Sequence, residues 1–106
     1  MPRRLKEKKK PTPENLVKAA LKQEASYLGV YIFSIIGGLG QLPGIPDFLG
    51  CHEGRFLGIE AKAGKNVLSK HQEARRDEIV ASGGLFIEYR KPGDLAEALG
   101  KKFNLF

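Results

Sequence analysis

An α/β fold, a mixed central β-sheet flanked by helices, is predicted by three features of the sequence. Apolar residues recur at helical spacing in a long first segment, β-branched and aromatic runs follow, and the last two of those runs are separated by a whole helix, as in a parallel crossover. The 106 residues, 42% hydrophobic and 28% charged, are the size of one domain with one core. A basic tail over residues 1–11 and a single domain over 12–106 are expected.

Thr12 is the expected N-cap with Pro13 at the first helical position, and "PENLVKAALKQEASYL" has few breakers before Gly29, which makes it the first helix. At 100° per residue Val17, Leu21 and Leu28 share one stripe, with Glu14 and Glu24 near it and Asn15, Lys18, Lys22 and Ser26 away from it. "VYIFSII", Val30 to Ile36, reads as a strand ended by the loop "GGLGQLPGIP". "FLGC", "HEG" and "RFLGIEAK" read as a hairpin that starts near Asp47 and ends at Lys62. Ser69 and Gln72 stand at capping-box spacing at the head of a second helix that Gly83-Gly84 stops. "LFIEYR" is the last strand and "PGDLAEALG" a short closing helix, so the order is αβββαβα. A right-handed crossover joins the strand Arg55 to Ala61 to the strand Leu85 to Tyr89.

The net charge of +6 is concentrated: Arg3, Arg4, Lys6, Lys8, Lys9 and Lys10 against Glu7 supply +5 of it, and the remainder is nearly neutral. Such a tail is either solvated or a phosphate grip, and by itself names no function. The apolar runs fall far short of the roughly 20 residues that span a bilayer, so no membrane partner is expected. With no apolar stretch after the basic start and with Cys51 as the single cysteine, the expected setting is the reducing cytoplasm.

Alternation along the third strand puts Leu57, Ile59 and Ala61 on one face and Gly58, Glu60 and Lys62 on the other. Asp47 opens the paired strand, so the hairpin brings its carboxylate toward Glu60. Two adjacent carboxylates repel unless a cation sits between them, and Mg2+ is held by one or two carboxylates, waters and phosphate oxygens. With the backbone carbonyl of Ala61, Asp47 and Glu60 could hold such an ion beside a phosphodiester, and Lys62 could orient water or offset transition-state charge. The same pattern also describes the wet face of a half-buried strand, and Pro46-Asp47 is an ordinary turn dipeptide.

"GIPDFLG", "FLGIEAKAGKNVLSKHQ" and "GGLFIEYRKPGDLAEAL" resemble the virus-type replication-repair nuclease (VRR-NUC) domain of the PD-(D/E)xK nuclease superfamily, with the likeness running from Pro13 to Leu99. The resemblance implies a restriction-endonuclease-like core and a Mg2+- or Mn2+-dependent endonuclease with Asp47, Glu60, Lys62 and Gln72 as catalytic residues. It also implies a first-helix acid that approaches the metal through water, for which Glu14 is the first choice and Glu24 the rival. Stand-alone members of this size look like phage-type homodimers that cut branched DNA such as Holliday junctions, one site per subunit. Lys65, Lys70, Arg75 and Arg76 are assigned to DNA phosphate contacts. Without the resemblance, Glu14 is an acid favourably placed at a helix N-terminus and Gln72 a capping residue. His52 and His71 read as surface residues, and Cys51 as a small apolar residue near a strand end. A non-catalytic nucleic-acid-binding module and a restriction or nicking nuclease are the competing functions.

Overall fold

The computed structural model describes residues 10–37 and 42–103. Residues 1–9 of the expected basic tail and residues 104–106 of the expected domain lie outside these. The first helix, α1 (Pro13–Leu28), starts as expected: the Thr12 hydroxyl accepts the Asn15 N–H at 3.1 Å, and Pro13 occupies the first position. It ends at Gly29, whose φ of 71° is the left-handed conformation that glycine adopts without strain.

The first strand, β1 (Tyr31–Ser34), is shorter than the Val30–Ile36 run suggested. Val30 donates its N–H back to Ala25 of α1 at 2.9 Å, and past Ser34 the pairing continues only through the Ile35 N–H to the Asp47 carbonyl at 2.8 Å. β2 (Phe48–His52) and β3 (Arg55–Ala61) form the expected hairpin, closed by Glu53 and Gly54 with φ of 53° and 78°. Two consecutive positive φ values give a turn whose twist matches the strands. After α2 (Lys70–Ala81), β4 (Leu85–Tyr89) pairs parallel to β3, and α3 (Asp94–Ala98) closes the fold. The protein is therefore α/β, with a mixed four-stranded sheet in the order β1-β2-β3-β4 and the element order αβββαβα.

One face of the sheet carries the core. Leu57 and Ile59 of β3, Phe48 of β2, and Ile87 and Tyr89 of β4 pack with Leu21 and Ala25 of α1 and Leu95 of α3. Val17 and Leu28 join at the margin, as the helical stripe predicted.

On the opposite face α2 lies over β3 and β4, with Ile79 against Gly58. Here the wet-face expectation fails: Glu60 is only 3% exposed, on the face that α2 covers, where the Gln72 side chain meets it. α2 has no fully buried residue, which suits a helix resting on a sheet edge. β1 and β2 turn their other side chains, Tyr31, Phe33 and Cys51, outward into exposure. His52 departs from its surface assignment, its side chain only 14% exposed and beside Leu57, Leu85 and Leu99 at the hairpin end.

Candidate active site

The loop before β2 is pressed onto the start of α2. At Gly44 φ is 81°, and a Cβ there would lie 2.3 Å from the backbone carbon of His71, so only glycine fits. This close approach sets Pro46 and Asp47 beside the end of β3. Register continues the hairpin to the site, since Phe48 opposes Ile59 and Leu49 opposes Gly58, which puts Asp47 opposite Glu60.

The two acids clasp each other's strands. The Asp47 N–H donates to Glu60 Oε2 at 3.3 Å, and the Ala61 N–H donates to Asp47 Oδ2 at 3.0 Å. Gln72 ties the pair to α2 while it caps the helix. Its Oε1 accepts the Ser69 N–H at 2.9 Å, its own N–H donates to Ser69 Oγ at 3.2 Å, and its Nε2 donates to Glu60 Oε1 at 3.0 Å. The capping reading and the contact with Glu60 therefore hold together, one side-chain atom serving each.

Burial, with the Asp47 carboxylate beside it, pushes the Glu60 carboxyl up from its ordinary 4.5 to about 8. The charge of Lys62 offsets only part of this. Lys62 itself follows β3, half-buried, its N–H donating to the Tyr89 carbonyl at 3.0 Å.

Lys18 is a site residue that the helical stripe placed on the solvent side. Its Nζ lies 3.9 Å from Asp47 Oδ1 and 3.8 Å from Glu14 Oε1, one turn earlier on α1. Glu14 is thus joined to the acid pair through a lysine. Glu24 stands elsewhere, buried at 1% exposure, where its carboxylate accepts the Tyr89 hydroxyl at 2.7 Å and the N–H groups of Gly93 and Ala96 at 2.7 and 2.8 Å. It serves the start of α3. Burial and this bond raise the Tyr89 hydroxyl above its ordinary range, so it stays a donor.

The four cations assigned to phosphate differ in placement. Lys65 is exposed, and Lys70 reaches Glu73 at 3.9 Å. Arg75 is engaged by Glu78, with Nε at 2.9 Å and Nη2 donating at 3.2 Å, and Arg76 by Asp77 at 3.0 Å. Both arginines therefore meet acids of α2 itself, which a phosphate would have to displace. His71 is exposed.

Asp47 and Glu60 are hard oxygen donors facing each other across the hairpin, and a donor set of this kind suits Mg2+ or Mn2+. Among the described residues no cluster of three or more His, Cys, Asp or Glu forms, so any further ligands would come from backbone, water or substrate. Neither the protein-family models nor the curated proteins compared with this chain match it.

Proposed function

We propose that this chain is a divalent-metal-dependent DNA endonuclease that hydrolyses phosphodiester bonds, selects branched DNA such as Holliday junctions and acts as a homodimer in the cytoplasm of a bacterial or phage-infected cell. The observation that supports it is the mutual clasp of the half-buried Asp47 and the buried Glu60, with Gln72 bonded to Glu60 and Lys62 two residues further along the chain. Two acids set together at the cost of a strongly raised carboxyl suit a positively charged occupant better than a stability role.

Asp47, Glu60 and the Ala61 carbonyl would hold the ion, with Glu14 acting through water. When bound, it would polarise a phosphoryl oxygen and lower the pKa of a water. In the hydrolysis a water oxygen attacks phosphorus as the bond to the leaving sugar oxygen breaks, the attacking water giving up a proton to solvent and the leaving oxygen taking one from it. Lys62, a donor-only ammonium, offsets charge that builds on the phosphoryl oxygens, and Gln72 holds the Glu60 carboxylate in orientation. Lys65 and Lys70 meet the backbone of the substrate.

Labelled four-way junction, flap, single-stranded and linear duplex DNA, incubated with Mg2+, Mn2+ or EDTA beside Asp47→Asn, tests this reading. The wild type should cut with metal only, and Asp47→Asn should bind junctions without cutting them. No cutting of any substrate under either metal would overturn it.

A non-catalytic DNA-binding module is favoured by one observation, that Asp47 Oδ2 and both Glu60 oxygens already accept hydrogen bonds within the protein. It requires that Asp47→Asn leave all DNA behaviour unchanged and that deletion of residues 1–10 remove most binding. A restriction or nicking enzyme would instead cut defined duplex sites better than junctions.

A further inference from the structure

β1 ends the sheet on one side and, although only four residues long, has neither charge nor proline to guard its outer edge. Tyr31, Ile32, Phe33 and Ser34 include no charge and no proline, and they pair with β2 in unbroken register. Because Ile35 donates its N–H to Asp47 across β2, alternation turns the backbone groups of Tyr31 and Phe33 toward β2 and those of Ile32 and Ser34 away from it. No described strand stands on that outer side.

The side chains beside this edge are apolar and open. Tyr31 is 66% exposed and Phe33 46%, their rings 5.8 Å apart, on the sheet face where α2 covers only β3 and β4. Cys51, opposite Tyr31 on β2, continues the uncharged patch. Nucleic acid is a poor occupant for it, since no cation belongs to the strand or to its partners Phe48 to Cys51.

We infer that β1 pairs antiparallel with β1 of a second copy of this chain, joining two four-stranded sheets into one of eight strands. The self-complementarity of the strand selects this occupant. A two-fold axis at Ile32 sets the outward backbone groups of Ile32 in both copies against each other as a hydrogen-bonded pair. The same axis places Tyr31 directly opposite Phe33 of the second copy in a non-hydrogen-bonded pair, the closer kind, on the bare face. Aromatic meets aromatic, and Ile32 meets its own copy on the α1 side.

Tyr31 and Phe33 together expose on the order of 200 Å² per copy, against the roughly 800 Å² per partner of a standard interface. The association is therefore a weak, concentration-dependent one. It deepens the two-subunit part of the proposed function, but its argument draws nothing from Asp47 or Glu60.

Sedimentation of the wild type without DNA or metal, over a range from micromolar to several hundred micromolar, should show a monomer–dimer equilibrium. Phe33→Lys, which sets a solvated charge against Tyr31 of the second copy and two like charges diagonally about the axis, should weaken it by about tenfold or more while leaving the circular dichroism unchanged. In a Cys51→Ser background, Tyr31→Cys and Phe33→Cys proteins should form a disulfide-linked pair under mild oxidation when mixed, and each should do so far less alone. A wild type that stays monomeric throughout overturns the inference. So does a dimer that persists in Phe33→Lys without cross-linking in the mixture. Neither result touches the nuclease reading, since cleavage and its loss in Asp47→Asn are measured separately.

Discussion

Glu60 carries a cost that can be read in solution. Its carboxyl titrates near 4.5 when unfolded and near 8 when folded, so between those values the folded chain holds the extra proton. Stability contributed by this group accordingly falls as pH rises through that window, by up to about 1.4 kcal/mol per pH unit, and is level outside it. In EDTA, thermal melts from pH 5 to pH 8 should fall more steeply for the wild type than for Glu60→Gln, and the variant should be the more stable of the two at pH 8. Identical slopes would remove Glu60 as the cause. Lys18 gives a second test, because its ammonium occupies the Asp47 side of the pair where a metal ion would be repelled by it. Lys18→Met should bind Mn2+ more tightly by roughly threefold to tenfold, seen by calorimetry, in keeping with one like-charge contact near the surface. Unchanged affinity would place the ion away from Asp47. The pairing of Asp47 with Glu60 was legible from strand alternation and the hairpin alone. Lys18 was not, because a helical stripe sorts positions by angle, whereas a lysine ammonium on a flexible stem reaches an acid brought in by a distant loop.

At the scale of elements, the two acids of α1 separate into different tasks. Glu14 lies one turn before Lys18 at the exposed start of the helix, whereas Glu24 binds β4 and α3. Glu24→Gln keeps the shape but loses charge-assisted bonds to Tyr89, Gly93 and Ala96, and should lower stability by about 2 kcal/mol in urea unfolding. Cleavage per folded molecule should persist in this variant, and its loss would return Glu24 to the candidate site. The place of Glu24 near the core-facing stripe was legible, but the sequence offered it only as the rival to Glu14 and did not show that it serves a helix start about seventy residues on, a separation the hydrogen bonds to Gly93 and Ala96 span. For α2 the capping box was legible, while the pairing of Arg75 and Arg76 with Glu78 and Asp77 followed only from side-chain geometry.

The whole molecule joins a local half to a non-local one. β1, β2 and β3 meet through antiparallel pairs, β2 and β3 across a two-residue turn, whereas β4 reaches β3 only after α2 has crossed over. The hairpin and the parallel closing pair were legible because strands joined by a short link pair antiparallel and a helix-length link demands a crossover, whereas the place of β1 beside β2, with thirteen residues between them in the chain, came from the structure. The burial of Glu60 was not, since alternation assigns a face without saying whether anything covers it. The positive-φ turn at Glu53-Gly54 has a kinetic consequence. A tight hairpin closes on the microsecond scale, long before a crossover helix and a parallel strand assemble. Asp47 and Glu60 sit at the open end of that hairpin, so their carboxylates approach early on the route to the native state. The first cause of the raised Glu60 carboxyl is burial, which comes only when α2 closes over the sheet, so in stopped-flow experiments without metal, raising pH from 6 to 8 should hasten unfolding more than it slows refolding, and Glu60→Gln should abolish that effect. A pH effect confined to the refolding limb would mean that Glu60 is already buried at the rate-limiting barrier.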